Sequence, residues 1–379
     1  MPVSGKKGIS LYFHIPFCRR KCPYCHFYVL PDKEEYKVEL LRSLELEWKW
    51  RLPQLVDCEI TSIYFGGGTP SLFGPKAIGT VLNWIRSSVK LSPACEITIE
   101  ANPEDGEKLA AFAEVGINRL SLGLQSLHSP TLLLLGRNHA KEDALSALSS
   151  AKRAGITNLS VDLMYDTPEQ TVSSLEATLR ELRDLPITHL SLYNLTIEPE
   201  TIFFKKRAQL VPLLPSQDES LKLLQTAVAH LEEMGLKRYE ISAFAREGQA
   251  SVHNVGYWTA RPFLGFGPSA FSYWEGKRFR NIAHLRKYSQ FLQQGSSPVD
   301  FEEKLTYPDN LLELLAVELR LLRGVSLSEF QTRHAPLPPD ALARLSELMA
   351  KGWLSQQGDR IHLTEEGILF YDSVASEIL

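Results

Sequence analysis

The chain has 379 residues, of which 44% are hydrophobic, and its 41 Lys and Arg against 45 Asp and Glu give a formal net charge of −4. This composition excludes disordered, collagen-like and coiled-coil proteins, and the absence of a basic excess argues against a nucleic-acid partner. No apolar run approaches the roughly 20 residues that span a bilayer, and the first eight residues contain no apolar stretch typical of an export signal. We therefore expect a cytoplasmic protein of two or three domains.

Strands and helices are predicted to alternate along the first half of the chain. The strand pattern, a short run of apolar, β-branched or aromatic residues, recurs at residues 10–15, 60–65, 96–100, 119–122, 158–163 and 189–195. Helical periodicity fills the intervals, at residues 33–51, 75–89, 104–115, 141–154 and 171–183. Gly116 and Gly155 stand where helices are expected to end. The pattern predicts an α/β fold, a partial (β/α)6 barrel whose functional residues follow the carboxyl ends of its strands.

The second half of the chain is predicted to extend this barrel and then to form a separate module. A proline-containing break at 197–217 is followed by a helix at 218–235 and a short strand-like run at 238–244. From about residue 302 the periodicity is helical, and a short hairpin near the end indicates a mainly helical, winged-helix-like domain. We therefore predict a barrel core at 1–215, an extension at 216–300 and a C-terminal domain at 301–379. Helix 340–351 offers only Arg344 and Lys351 to phosphates, so packing or a protein contact is favoured over DNA binding.

Three of the five cysteines lie close together, directly after the first predicted strand. Cys18, Cys22 and Cys25 fall within eight residues, whereas Cys58 and Cys95 stand alone and are expected to be buried free thiols. Disulfides are uncommon in the cytosol, so an odd, tight cluster there indicates metal binding or catalysis. The C-x3-C-x2-C spacing favours three iron ligands of a [4Fe–4S] cluster, which leaves one iron open to an exchangeable ligand.

Three other interpretations of this loop remain open, and each has an objection. Cys22 and Cys25 match a dithiol redox motif, which has no use for Cys18. Together with His26 they match a c-type haem attachment site, a modification normally made outside the cytosol. His14 or His26 could complete a zinc site, but structural zinc sites usually take their ligands from two separate loops.

The C-x3-C-x2-C loop at the end of the first strand of a (β/α)6 series resembles that of the radical S-adenosylmethionine (SAM) superfamily. The chain is similar over nearly its whole length to the coproporphyrinogen-dehydrogenase-like branch of that superfamily. In such proteins the amino and carboxylate groups of SAM chelate the open iron of the cluster. The resemblance therefore implies two cofactors, a [4Fe–4S] cluster and SAM.

The resemblance also implies which side chains surround SAM. The glycine-rich turn after the second strand would hold the methionine ammonium group, Arg137 the carboxylate, and Gln125 and Asp162 the ribose hydroxyls. Two tyrosines match aromatic positions near the cluster and adenine, and a later phenylalanine matches a wall of the pocket. The residues expected to contact SAM are Tyr12, Tyr24, Gly67, Gly68, Thr69, Glu100, Gln125, Arg137, Asp162 and Phe271.

Two features distinguish members of this branch from one another. Coproporphyrinogen dehydrogenases carry a further cysteine two residues after the third, where this chain has Phe27. The HemW group instead carries His-Asn-x-x-Tyr-Trp, which is complete here from His253 to Trp258 and is associated with haem binding. His253 offers an imidazole to iron, and the two aromatic residues offer flat apolar surface to a porphyrin; a core histidine among packing aromatics is the alternative.

These features predict a haem chaperone, which binds haem and delivers it to an acceptor haemoprotein. The alternatives are an oxygen-independent coproporphyrinogen III oxidase, a radical SAM methylase, and a structural metal protein with a winged-helix partner domain. The expected partners are haem, SAM and an unidentified acceptor haemoprotein. The sequence leaves open the oligomeric state and a transient contact with a membrane surface.

Overall fold

The computed structural model describes residues 7–379. Residues 1–6 lie outside the described residues. Two predictions fall partly on them: the lack of an export signal in the first eight residues, and the start of the 1–215 domain. The strands are β1 Lys7–Ile15, β2 Phe17–Cys18, β3 Leu30–Pro31, β4 Cys58–Gly67, β5 Lys90–Ala101, β6 Arg119–Gln125, β7 Asn158–Tyr165, β8 His189–Asn194, β9 Lys237–Glu240, β10 Ala243–Ala245, β11 Phe263–Phe266, β12 Phe271–Trp274, β13 Lys277–Asn281, β14 Val299–Glu303, β15 Val325–Ser326, β16 Leu354–Gln357 and β17 Arg360–Leu363.

The α-helices alternate with the strands in the first half and dominate the C-terminal end. They are α1 Glu34–Arg51, α2 Pro75–Ser88, α3 Leu109–Glu114, α4 Ser129–Leu134, α5 Lys141–Arg153, α6 Val172–Leu182, α7 Ile202–Lys205, α8 Arg207–Leu210, α9 Gln217–Glu233, α10 Val252–Trp258, α11 Leu285–Gln293, α12 Asp309–Glu318, α13 Leu327–Arg333, α14 Pro339–Ala350, α15 Glu365–Leu369 and α16 Tyr371–Ile378. Within residues 7–379, no helix is long and apolar enough to cross a membrane.

Twelve of the described strands form one mixed sheet, in the order β14-β13-β12-β11-β1-β4-β5-β6-β7-β8-β10-β9. Strands β1, β4, β5, β6, β7 and β8 are parallel neighbours in chain order, which confirms the predicted (β/α)6 series. The β9–β10 hairpin joins the β8 side, and β11 pairs in parallel with β1. The segment that follows the six units therefore extends the sheet at both edges.

The two faces of β1 show how this sheet is packed. Ile9, Leu11 and Phe13 belong to the main core and are fully buried. On the other face, Ser10 and Tyr12 point towards polar partners, and Ser62 donates a hydrogen bond of 2.8 Å to Ser10. The barrel interior is therefore polar, while the apolar core lies between the sheet and its helices.

One helix differs from its prediction. The segment expected to form a helix over 104–115 is a 3-10 helix at Pro103–Lys108 followed by α3. A Cβ at Gly106 would lie 3.1 Å from Cα of Ala147 in α5, so the glycine permits a close approach of the two elements. This tight turn carries Asp105, which contacts the cysteine loop.

The C-terminal module has its own core, built from helices α12 to α16 and a three-stranded sheet β15-β17-β16. This confirms the predicted mainly helical, winged-helix-like fold. Arg344 of α14 and Lys351, which directly follows it, are both engaged within the module: Arg344 donates a 2.7 Å hydrogen bond to the Ile378 carbonyl, and Lys351 pairs with Glu377. The module meets the barrel at the sheet edge, where Leu322 N–H donates 3.0 Å to the Tyr239 carbonyl.

Candidate functional site

A cavity of about 440 Å³ opens at the carboxyl ends of the parallel strands. Residues from the cysteine loop, the glycine turn and successive strand ends line it. The predicted site residues among its lining are Cys18, Cys22, Tyr24, Cys25, Gly67, Gly68, Thr69, Glu100, Gln125, Arg137 and Asp162. Parallel strands point their carboxyl ends to one edge, which explains why side chains so distant in sequence converge here.

The cysteine loop is fastened at its base and on one flank. The two-residue strands β2 and β3 pair in parallel, and Leu30 N–H donates 2.6 Å to the Pro16 carbonyl, which closes the loop. Arg19 donates 2.6 Å to Asp105, whose carboxylate also accepts 2.7 Å from Ser71. Although burial opposes ionisation, these donors hold the pKa of Asp105 below its usual value. Arg19 therefore fixes the loop to the turn after β5.

The three thiols of this loop are free and half-buried. Burial raises the pKa of Cys18 to about 11, partly offset by Thr69, whose hydroxyl lies 3.7 Å from Cys18 Sγ. Burial also raises the pKa of Cys25. Three thiols facing one cavity suit a metal that displaces their protons on binding. Within residues 7–379, no group of three or more His, Cys, Asp or Glu side chains is arranged to hold one metal ion.

The glycine turn after β4 is shaped by contacts that only glycine permits. Gly67 has φ 118°, and a Cβ there would lie 2.7 Å from the His14 ring. A Cβ at Gly68 would lie 2.7 Å from the Phe17 carbonyl oxygen, so the turn lies directly against the base of the cysteine loop. Gly67 N–H donates 3.1 Å to Glu100, which holds the turn at the end of β5.

A chain of polar contacts runs along the cavity wall from Cys18 to Cys22. Asn102 donates 3.3 Å to the Thr69 hydroxyl and accepts 2.7 Å from Arg137, and Arg137 also donates 2.6 Å to the Gly123 carbonyl. Arg137 Nη1 lies 3.8 Å from Cys22 Sγ. Asn102 was not singled out in the sequence analysis. Its position, two residues after Glu100 at the end of a strand, is the one local signal for it, and that signal is equally typical of a turn residue.

Two half-buried carboxyl groups lie on the cavity floor. Burial, reinforced by repulsion from Asp162, raises the pKa of Glu100 to about 7. Burial likewise raises the pKa of Asp162 to about 6, against hydrogen bonds from Ser191 and Ser121. Gln125 reaches the cavity from a left-handed backbone, φ 67°, at a register shift between β6 and β7. These groups present hydrogen-bond donors and acceptors to a polar ligand.

His253 lies inside the barrel, away from this cavity. Its side chain is 1% exposed, Nδ1 lies 3.0 Å from Ser62 Oγ, and Nε2 lies 2.8 Å from the Tyr257 hydroxyl. Because Ser62 donates to Ser10, the network assigns the proton to Nδ1 and makes Tyr257 the donor to Nε2. Burial, with nearby Arg261 and Arg119, lowers the pKa of His253 to about 3.

A buried carboxylate, that of Glu96, binds the first turn of helix α10 inside the barrel. Glu96 accepts 2.9 Å hydrogen bonds from the backbone N–H groups of Val252 and His253 and 3.3 Å from Ser251. The predicted haem motif is therefore folded as a plug in the barrel, and in this arrangement neither ring nitrogen of His253 is available to iron. Its assignment as a haem ligand stays a prediction that this arrangement does not favour.

The two remaining predicted contacts also lie outside the cavity lining. Tyr12 lies beneath the glycine turn, with its hydroxyl 3.1 Å from His14 Nδ1 and its ring centroid 6.2 Å from that of Tyr64. Phe271 lies on outer strand β12, is 48% exposed and faces Phe301 at 6.4 Å. The structure thus places Tyr12 in the layer below the cavity and Phe271 on the surface rather than in the pocket wall.

The comparisons with known proteins agree with the fold and the cavity. Residues 12–182 match the radical SAM superfamily model, and residues 305–370 match the HemN C-terminal domain model. The structure superposes on coproporphyrinogen III oxidase (HemN) of Escherichia coli, a radical SAM enzyme, with a TM-score of 0.86 and 25% identity, covering 99% of this chain and 91% of that one. The fold and the three-cysteine cavity define a radical SAM protein, a class whose cofactors are a [4Fe–4S] cluster and SAM.

Relatives of similar length identify the group within this class. The protein named heme chaperone HemW of Bacillus subtilis (strain 168) is 31% identical over 98% of this chain and 99% of its own length. The heme chaperone HemW of Escherichia coli (strain K12) is 31% identical over 97% of both chains. The chain belongs to the HemW family.

Proposed function

We propose that this chain is a cytoplasmic haem chaperone that takes up haem and delivers it to an acceptor haemoprotein, with a [4Fe–4S] cluster and SAM as its cofactors. The observation that carries the proposal is similarity along nearly the entire length to proteins named heme chaperone, combined with a cavity lined by three free thiols and eight of the ten predicted SAM contacts. Phe27, in place of a further cysteine, favours this function over oxidation of coproporphyrinogen III.

The cavity residues fit the two cofactors. Cys18, Cys22 and Cys25 would ligate three irons, and SAM, bound at the fourth, would supply sulfonium chemistry or serve as a structural ligand. Arg137 is already directed towards Cys22 and would meet the carboxylate of SAM. Its buried Nε has no partner among the described residues, which leaves a donor for that ligand.

The remaining contacts would hold the ribose and the methionine end of SAM. Gln125 and Asp162 would bind the ribose hydroxyls, and the Gly67 and Gly68 turn, with Thr69, would accept the methionine ammonium group. With a pKa of about 6, Asp162 is mainly ionised at neutral pH and can accept hydrogen bonds.

Reconstitution under anaerobic conditions tests the proposal. The full chain, loaded with iron and sulfide and supplied with SAM, should take up haem and transfer it to the apo-form of a b-type haemoprotein. The similarity to HemN makes coproporphyrinogen III oxidase activity the second candidate. An anaerobic assay with coproporphyrinogen III, SAM and a reductant separates the two. Turnover of the porphyrinogen without haem uptake would replace the first proposal by the second.

A further inference from the structure

An exposed imidazole and an exposed aromatic ring stand side by side at the mouth of the cavity. His26 and Phe27 directly follow Cys25, and both line the opening. Their ring centroids lie 4.6 Å apart, and Phe27 is 53% exposed. Within residues 7–379, the structure gives the His26 ring nitrogens no hydrogen-bond partner, in contrast to those of His253. His26 is therefore free to bind a ligand at the mouth.

A short helical segment next to the mouth supplies apolar surface. Phe203 at the start of this segment donates 2.9 Å from its N–H to the Pro23 carbonyl, and its ring lies 6.2 Å from that of Tyr24. Helix α7 therefore lies against the cysteine loop, and α8 follows it directly in the chain. Ile202, Val211 and Leu213 of the same segment are exposed. Ile202, next to Phe203, therefore adds exposed apolar surface beside the cysteine loop.

The same segment and the cysteine loop carry cations. Lys205, Lys206 and Arg207 are exposed at the junction of α7 and α8, and Arg20 and Lys21 line the cavity. Among the described residues, none of these five forms an ion pair with a carboxylate; Lys21 donates 3.1 Å to the Phe27 carbonyl and Arg207 donates to the Phe204 carbonyl. Their charges are therefore available to an anionic ligand.

Haem combines the features that this mouth would recognise. Its iron takes an imidazole, its macrocycle is a flat apolar plate, and its two propionates pair with Lys or Arg. Inside the barrel, by contrast, the Tyr257 hydroxyl occupies Nε2 of His253, and the rings of Tyr12 and Tyr64 lie 6.5 and 4.9 Å from its imidazole. A porphyrin cannot reach that imidazole without opening the barrel.

We propose that haem docks across the mouth of the SAM cavity, with His26 as an iron ligand, Phe27 against the macrocycle, and the cations of α7, α8 and the cysteine loop as partners of the propionates. This inference rests on the proposed function, that the chain carries haem. Haem docked here covers the exit of the cavity. Haem and SAM binding are then coupled, and each ligand changes the affinity of the other by the same factor.

Titration of the full, cluster-loaded chain with hemin tests the site. His26→Ala should weaken hemin binding at least tenfold and shift the Soret band. The control is His284→Ala, which removes another exposed histidine outside the cavity lining and should leave both the affinity and the Soret band unchanged. Iron and sulfide content is measured in each variant, because His26 is adjacent to Cys25. A second variant avoids the loop altogether: Lys205→Glu with Lys206→Glu should lower hemin affinity several-fold, and the loss should shrink as ionic strength rises.

The outcomes separate this inference from the function on which it rests. If the unchanged chain binds no hemin, the chaperone function fails. If it binds hemin, and both His26→Ala and the double lysine variant bind it with the same affinity and spectrum, the function stands and the docking site at the mouth is overturned. Loss of hemin binding in a His253→Ala variant that keeps its unfolding midpoint and its cluster, while His26→Ala binds hemin normally, would place the iron in the barrel and also overturn the inference.

Discussion

Arg320 of the C-terminal module stacks on Trp258, the last residue of the His-Asn-x-x-Tyr-Trp segment, with its guanidinium carbon 4.4 Å from the indole centroid. The same guanidinium donates 3.2 Å to Glu240, on the edge strand of the barrel sheet, and lies 5.0 Å from the Tyr371 ring. Helix α10 thus joins two parts of the molecule: its first turn binds Glu96 inside the barrel, and its last residue contacts the winged-helix-like module. The motif has a structural role whatever else it does.

We expect Arg320→Ala to loosen the C-terminal module. The substitution removes a cation–π contact and leaves Glu240, which is 3% exposed, without its arginine, so the free energy of unfolding should fall by about 1–3 kcal/mol. Denaturant unfolding and limited proteolysis between the barrel and the module measure this. Arg323→Ala removes an exposed arginine three residues away and is the matched control. Equal unfolding midpoints for the two variants would contradict the role of Arg320.

The cluster is expected to depend on three of the five cysteines. Cys18→Ala, Cys22→Ala and Cys25→Ala should each lose iron and sulfide after anaerobic reconstitution, because each removes a thiolate facing the cavity. Cys58→Ala and Cys95→Ala remove buried thiols outside the cavity lining and should retain the cluster. Iron and sulfide analysis with electron paramagnetic resonance decides this. A full cluster in Cys22→Ala would disprove the ligand assignment.

SAM binding should depend on Arg137 and, to a smaller extent, on Asn102, which are hydrogen-bonded to each other along the cavity wall. Arg137→Ala removes the expected carboxylate partner and should weaken SAM binding by about 10- to 100-fold, the effect of a lost charge-assisted contact of about 1.5–3 kcal/mol. Asn102→Ala leaves one guanidinium N–H of Arg137 without its acceptor, and it should weaken SAM binding less than Arg137→Ala does. Isothermal titration of the cluster-loaded protein measures both, and Arg153→Ala, an exposed arginine on α5, is the control. Identical isotherms for Arg137→Ala and the unchanged chain would remove Arg137 from the site.

The parts of this structure that sequence predicts are those with a local signal. The C-x3-C-x2-C loop is recognised from spacing, and Glu100, Gln125 and Asp162 lie at or just after the ends of predicted strands whose patterns are clear. Asn102 follows a strand as well, but an amide before a proline is equally typical of a turn. Its contact with Arg137 depends on the distance between two loops, which no local pattern encodes.

The locations of His253 and Phe271 depend on long-range pairing. Ser10 of β1 pairs with Phe263 of β11, and this parallel pairing brings the preceding α10 into the barrel. The antiparallel strand that follows carries Phe271 to the outer part of the sheet. Neither pairing has a signature in the residues around it. The family resemblance therefore predicts that His253 and Phe271 are functional residues. It does not predict that both lie outside the cavity, because that depends on the pairing of distant strands.

The buried state of His253 should appear in the pH dependence of stability. Its pKa is about 3 in the folded chain against an ordinary value of 6.5, because burial, with Arg261 and Arg119 nearby, opposes a positive charge. Below pH 6.5 the unfolded chain binds a proton that the folded chain does not. The stabilisation present above pH 6.5 is therefore lost as the pH falls towards 3, by up to about 1.4 kcal/mol per pH unit.

His253→Gln isolates this contribution, because glutamine does not titrate, whereas His14, whose pKa is lowered to about 4 by burial, remains in both proteins. Denaturant unfolding of the cluster-free protein at intervals between pH 7.5 and 4.5 should show a shallower decline for the variant than for the unchanged chain, with the two curves diverging in slope below pH 6.5. The difference in unfolding free energy at fixed pH includes any loss of packing, so the slope is the decisive quantity. Parallel declines would mean that His253 titrates normally, as an imidazole accessible to solvent and iron would, and the barrel-plug assignment of α10 would then be wrong.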